Sequence, residues 1–361
     1  MTSDLEALEP SNTGEKITMT ISETPPTASS ILILTQWLQI LSTFIIFFNT
    51  RGLLLTFGVF QTHYEQVLLR KGSSSDILWI STTGVFIVLP AGSLASIRDV
   101  HVGLGAGIAF TPSVAAAVAT LTDPATRAKA MGLIACGSSI GGIIYPLMFR
   151  SIIPSTGFPW AVRSIAFVIL RLYLVSYLAL LYHPKTPPIT RPFFDVSALK
   201  DAPFMTLSVA SLFSATAFYI PLLHMPLLAK IRDSSTNPDL LFDLLAILNG
   251  ALVPGRLLSG IVAARFGPTE TVLLSLLCGT VLVFFWIVVD SVAGIIVWAV
   301  SWGMVSGVLV TKPGAFIPLF CLSLAVIGTR SGMYWVCVRS GILIGSLIGG
   351  AIYDFEAADE E

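Results

Sequence analysis

The chain has 361 residues, of which 54% are hydrophobic and only 11% charged, against roughly 25% charged in ordinary soluble domains. Its mean hydropathy is +0.84 and its formal net charge is −1. This balance excludes a soluble globular domain, gives no basis for nucleic-acid binding, and implies an all-α polytopic protein whose main partner is a lipid bilayer.

Residues 1–33 open the chain with Asp4, Glu6, Glu9, Glu15 and Glu23 among Pro, Ser and Thr. That composition reads as a disordered cytosolic tail rather than a signal peptide. Ten apolar stretches follow, near 34–60, 77–96, 102–121, 130–150, 161–182, 204–229, 240–264, 270–290, 294–317 and 331–353. Most approach the ~20 residues that cross a bilayer as a helix. Between the fifth and sixth lies a polar, proline-rich segment, 183–203, with Pro184, Pro187, Pro188, Arg191, Pro192 and Lys200. It reads as a cytoplasmic linker between an N-terminal bundle, 34–182, and a C-terminal bundle, 204–353, and residues 354–361 form an acidic tail. With the linker inside, Arg127, Lys129, Lys185, Arg191, Lys200, Arg265 and Arg330 fall on the cytoplasmic side. Only Arg150, Arg163, Lys230 and Arg232 fall opposite, a bias in the expected direction.

Two segments repeat. Arg127 to Pro146 begins with basic residues and continues as an apolar helix carrying Gly132, Gly137, Gly141 and Gly142. A second copy begins at Arg330 and Gly332 and carries Gly341, Gly345, Gly349 and Gly350, an offset of 203 between the two arginines. Small residues on one face let helices approach closely, so these glycines are expected to form packing faces, with which a rocking interface is compatible. Duplicated membrane bundles are the build of a transporter. Asp76 and Asp243, by contrast, correspond at an offset of 167. The first half is therefore expected to be shorter by 33 residues, about one membrane helix with its loop. If each half once held six helices, the first lacks its third and the second its sixth.

The sequence resembles the fungal monocarboxylate-transporter-like branch of the major facilitator superfamily. The resemblance rests on Asn49–Gly52 with Phe57–Gln61, on Ser73–Ile80, on Arg127–Pro146 with Gly157–Arg163, on Ile247–Arg256 with Arg265–Pro268, and on Gly328–Met333. It implies a fold of two helical bundles, here with about ten transmembrane helices instead of twelve. It also implies movement of a small organic anion, a monocarboxylate or related metabolite, across the plasma membrane or an internal one. The chain departs from the family at the loop between helices two and three, missing around Ser93 to Val102, and at Arg51, where an aromatic residue is usual. Leu252 stands where animal members carry an Asp, so proton coupling stays open. A dropped exon explains the shortened first half as well as a true deletion does.

Arg256 is the first candidate for substrate binding. It lies mid-span beside Pro254 and Gly255, and a charge there is costly unless it faces a cavity or a partner. Its guanidinium suits bidentate contact with a carboxylate, the alternative being a structural arginine paired to backbone carbonyls. Asn249 lies seven residues earlier on the same face. Tyr219 and His224 flank Pro221, where a broken helix would expose backbone to a substrate, and Arg51 is a further mid-span cation. Arg171 and Arg339 are weaker candidates of the same kind; Asp290 lies at a span end, and Lys312 is either a cavity charge or the interfacial end of the ninth span. Cys136, Cys278, Cys321 and Cys337 fit no metal or redox spacing. No catalytic constellation stands out, and no cofactor is expected. Against the transporter reading stands a membrane scaffold or regulatory remnant that kept the fold and lost the path.

Overall fold

The computed structural model describes residues 26–56, 110, 113–121, 123–181, 194–232, 238–311, 316–321 and 326–359, and among them there is no strand. The helices are α1 (Pro26–Leu55), α2 (Pro124–Leu181), α3 (Val196–Lys200), α4 (Ala202–Arg232), α5 (Pro238–Phe266), α6 (Pro268–Val288), α7 (Val292–Thr311) and α8 (Ile327–Asp359), with a 3-10 turn at Ile317–Phe320. Residues 113–120 are also helical. The second expected span, 77–96, lies outside the described residues, as do 183–193 of the linker. α1 begins at Pro26, inside the segment read as a tail. Proline suits a first helical turn, and no glycine interrupts the chain from there to Gly52. At the other end, α8 continues beyond Tyr353 into the acidic tail.

Among the described residues, six helices are long and apolar enough to cross a membrane. One of them is long enough to do so twice. α2 has 58 residues, which as a straight rod would be about 87 Å, nearly three times a ~30 Å hydrocarbon core. It turns at Gly157, whose φ of 77° and ψ of 171° suit a residue without a Cβ. Pro154 and Pro159 lack the N–H groups that would carry regular helix across the turn. Its two arms match the expected spans at 130–150 and 161–182. α6 shows how the outer surface is solvated: Phe284, Ile287 and Val288 are 67%, 69% and 73% exposed. Such an apolar surface is stable against acyl chains and not against water.

Glycines set the helix pairs. In the first bundle, Gly137 lies where a Cβ would strike the Phe44 carbonyl, and Gly141 lies likewise against that of Phe48. Gly141 also faces Gly52, so α1 and α2 touch backbone to backbone. In the second bundle, Gly341 lies against the Leu212 carbonyl and Gly345 against that of Thr216, which joins α8 to α4 in the same way. From 137 to 341 and from 141 to 345 is 204 residues; from 44 to 212 and from 48 to 216 is 168. The same packing unit therefore occurs twice, with 36 fewer residues between its two helices in the first copy.

The two bundles meet along α2 and α5, which run antiparallel. Gly132 lies against the Arg256 carbonyl and Gly260. A Cβ on Gly142 would come within 3.0 Å of Asn249 Oδ1. Arg150 pairs with Asp243 at 3.6 Å near the far end. One apolar core crosses between the bundles, joining Phe47, Phe110 and Ile134 to Phe204, Trp335 and Ile342.

Candidate substrate path between the two bundles

Arg256 does not point into open space. It is 2% exposed, and its guanidinium donates to the Ala135 carbonyl at 2.6 Å and to the Ser138 hydroxyl on α2. Ser259 Oγ donates back to the Arg256 carbonyl at 2.8 Å. Charge-assisted bonds to a facing helix are the strong kind. In this conformation, Arg256 bolts α5 to α2 across the seam, the structural role that stood as the alternative to substrate binding. Asn249 is buried beside it: Nδ2 donates to the Leu245 carbonyl at 2.9 Å, and Oδ1 faces Gly142 without a hydrogen-bond donor. The two residues share one face of α5, as their spacing implies, and that face is the seam.

Arg51 sits elsewhere, at the boundary between α1 and α8. It is 6% exposed, with its guanidinium carbon 4.9 Å from the centroid of Phe110 and 4.4 Å from that of Trp335. Beside it lies a cavity of about 90 Å³ lined also by Ser211, Ser214, Phe218, Tyr334 and Trp335. Arg51 comes from the first bundle and these five from the second, so the cavity lies between the halves. About one turn further along α8, Arg339 is buried inside the helix packing, whereas Arg171 is exposed on the second arm of α2.

Tyr219 and His224 lie on α4, but their side chains are outside the described residues, and so is Lys312. α4 runs as one helix through Pro221, so the break expected there is not formed. Membrane helices tolerate a proline where neighbouring groups satisfy the freed carbonyl. Asp290 is exposed just beyond the end of α6.

The repeated arginines separate. Arg330 is 3% exposed at the start of α8, where Nε donates to Asp195 at 2.9 Å and Nη1 to Asp201 at 2.8 Å and to the Phe320 carbonyl. Asp195 caps the short helix α3 through the Ser197 amide, at 3.0 Å. The Ser197 hydroxyl and the Arg330 guanidinium hold the Asp195 carboxyl below the usual carboxylate range. Arg330 thus ties the end of the linker to the second bundle. Arg127 has no such clamp among the described residues: its Nε is buried without a hydrogen-bond partner, and the nearby Asp123 accepts instead from the Thr126 amide, at 2.7 Å. The glycines separate as well. Gly137 and Gly141 serve α1, Gly132 and Gly142 serve the seam, and a Cβ on Gly332 would meet nothing within 4 Å.

The profile of the Major Facilitator Superfamily matches residues 77–346, most of the chain and both bundles. The chain belongs to the Major Facilitator Superfamily. As a member it is an integral, multi-pass membrane protein and a transporter rather than an enzyme. It is similar to three fungal proteins in particular. The MFS-type transporter dbaD of Emericella nidulans is 31% identical over 88% of this chain and 79% of that protein. The aspyridones efflux protein apdF of the same organism is 27% identical over 88% and 71%. The fujikurins efflux protein of Gibberella fujikuroi is 28% identical over 88% and 76%. The crystal structure of the human organic anion transporter MFSD10 (TETRAN) superposes with a TM-score of 0.54 over 89% of this chain and 78% of that one. At 15% identity, this likeness speaks for the fold alone.

Proposed function

We propose that this Major Facilitator Superfamily member exports a small organic anion or related metabolite by alternating access, its two bundles rocking about a site between them. The observation that carries the reading is the duplicated packing unit, Gly137 and Gly141 against α1 and Gly341 and Gly345 against α4, with a seam between the copies. Along α2 and α5 the seam is made of small residues and a few polar bonds, beside the apolar core that the bundles share, and the polar part suits two bodies that must part. The efflux names of the fungal relatives support export over uptake. The bundles are assigned to 34–182 and 204–353, the span between them is the cytoplasmic linker, and the plasma membrane is the natural site for an exporter.

Within this reading, Arg256 and Asn249 act on the seam, and the expectation that Arg256 holds substrate gives way to a gating role. Arg51 becomes the leading cation for substrate. The 36-residue difference in register supports one fewer membrane helix between α1 and α2 than between α4 and α8. Monocarboxylates remain the simplest substrate class to try. The direct test loads cells expressing the full chain with labelled lactate or labelled benzoate and follows efflux. Faster efflux than from cells carrying empty vector is expected. Equal efflux of both compounds, with the protein verified in the membrane, overturns the proposal in favour of a non-transporting scaffold.

A further inference from the structure

We propose that the short helix α3 is a foot on the membrane surface, with its apolar outer face seated among anionic phospholipids and Lys200 against their head groups. This goes beyond the transport reading and shares with it only the cytoplasmic placement of the linker. The outer face is unusual for a connecting segment. Phe194, Val196 and Leu199 are 51%, 61% and 48% exposed, and three such side chains within six positions form a patch that water does not stabilise. The helix itself is held in place. Asp195 caps its first turn, Ala198 is fully buried in the core that includes Phe204 and Ile327, and Arg330 holds Asp195 and Asp201 at its two ends. Successive residues of a helix are about 100° apart. Val196 and Lys200 therefore stand opposite the buried Ala198, with Leu199 beside them, while Ser197 lies on the other flank, 3.4 Å from the Arg330 guanidinium. The inward contact of Ala198 aims two apolar side chains and one cation outward together, the pattern of an interfacial helix.

Its position puts α3 at the membrane edge. Asp201 alone stands between it and α4, and Arg330, which holds it, is at the start of α8. α3 thus joins the ends of two long helices. Its five residues span about 7.5 Å, and the headgroup region on each side of the hydrocarbon core is ~5–7 Å deep. A helix of that length stays within or against the head groups at any tilt. Next along the chain, α4 exposes Val209 and Phe213, so the adjoining apolar surface is one that acyl chains cover. Charge selects the lipid. Both acids of the segment, Asp195 and Asp201, are taken by Arg330, and 183–203 carries three basic residues, Lys185, Arg191 and Lys200. With Arg330 the balance is four positive against two negative. Basic segments beside membrane helices are drawn to anionic head groups, which the cytoplasmic leaflet supplies.

The test uses the full chain with its four cysteines replaced by alanine and a single nitroxide label at Val196→Cys, Leu199→Cys or, as an aqueous reference, the exposed Lys129→Cys. The protein is placed in nanodiscs of phosphatidylcholine with or without phosphatidylserine. With phosphatidylserine present, the labels at 196 and 199 are expected to meet oxygen, which partitions into lipid, more often than a water-soluble nickel chelate. The label at 129 is expected to show the reverse. Removing phosphatidylserine is expected to lower the docked-to-undocked ratio at least about fivefold, the factor for one basic residue near an anionic surface. Lys200→Glu is expected to lower the ratio even with phosphatidylserine present. Labels at 196 and 199 that meet the chelate as freely as the one at 129 overturn the proposal, since that is the pattern of a water-facing surface kept for a protein partner. A ratio indifferent to phosphatidylserine overturns it as well, and so does a ratio unchanged by Lys200→Glu. None of these readings depends on transport, so a failure of efflux and a failure of the foot are told apart.

Discussion

Arg330 illustrates how a charge is kept inside a membrane-spanning helix. Its cost is met by two carboxylates from the segment that joins the bundles and by the Phe320 carbonyl from the 3-10 turn before α8. Arg330→Ala strands Asp195 and Asp201, and breaking a buried pair from one side costs ~3–5 kcal/mol. Because the Asp201 side chain keeps 27% of its exposure, a loss at the lower end, about 3 kcal/mol, is expected. Thermal unfolding of the purified protein reads this loss directly, and an unchanged midpoint speaks against the clamp. The pH dependence has a definite sign. A depressed carboxyl contributes stability above its unfolded value, about 3.9, and that contribution is lost as pH falls through the lower folded value. Stability is therefore expected to be flat from pH 5 to 8 as far as this clamp is concerned and to fall below about pH 4. Asp195→Asn should reduce that fall.

Pairs of helices are where the sequence was most legible. A glycine every few residues beside a basic start marked α2 and α8 as close-packing helices, and the structure puts Gly137 and Gly141 against α1 with the same register as Gly341 and Gly345 against α4. What could not be read was the direction of each glycine. Gly132 and Gly142 point to α5, nearly half a helical turn away from the face toward α1, so the glycines of one helix serve two neighbours on different sides. The fate of Arg256 was hidden for a related reason. A mid-span arginine needs a partner, and spacing alone does not tell a cavity from a carbonyl on a facing helix. Trp335 and Phe110, which position Arg51, are separated by 225 positions in the sequence, and neither carries a periodic signal of its own. Gly137→Leu and Gly341→Leu are each expected to destabilise their own bundle, since overpacking costs about 1–3 kcal/mol or more. Gly132→Leu, by contrast, should assemble both bundles and prop the seam apart. Protease resistance and efflux measured together distinguish these outcomes: Gly137→Leu and Gly341→Leu lose both, and Gly132→Leu loses efflux alone. Loss of protease resistance in Gly132→Leu means that the seam is part of the fold and not a gate.

For the whole molecule, several contacts give the bundles a common top and bottom. Ala128 and Lys129 lie beside Gly260, near Arg265, while Arg330 gathers Asp195 and Asp201 from the linker. Arg150 and Asp243 mark the opposite end. Cysteines placed at Lys129, Lys200 and Arg265 are therefore expected to react with an impermeant maleimide only when the cytoplasmic face is open, and one at Arg150 only from outside. A mixed pattern would refute the orientation drawn from the basic residues. Duplication explains why so much of the architecture was visible early. Each half repeats the packing of the other, so a shift in spacing between copies is itself a measurement, 167 against 203 in the sequence landmarks and 168 against 204 in the structure.

The central claim is that transport requires the α2–α5 seam to part. It is tested most directly by tying the seam shut. Gly142 and Asn249 face each other at a distance that a disulfide spans, since a Cβ at 142 would lie 3.1 Å from the Asn249 side-chain carbon. In a background with the four native cysteines replaced by alanine, the pair Gly142→Cys and Asn249→Cys is oxidised, and efflux of labelled benzoate is compared with that of the reduced form. Efflux is expected to stop on oxidation and return on reduction. Undiminished efflux from fully cross-linked protein would contradict the account.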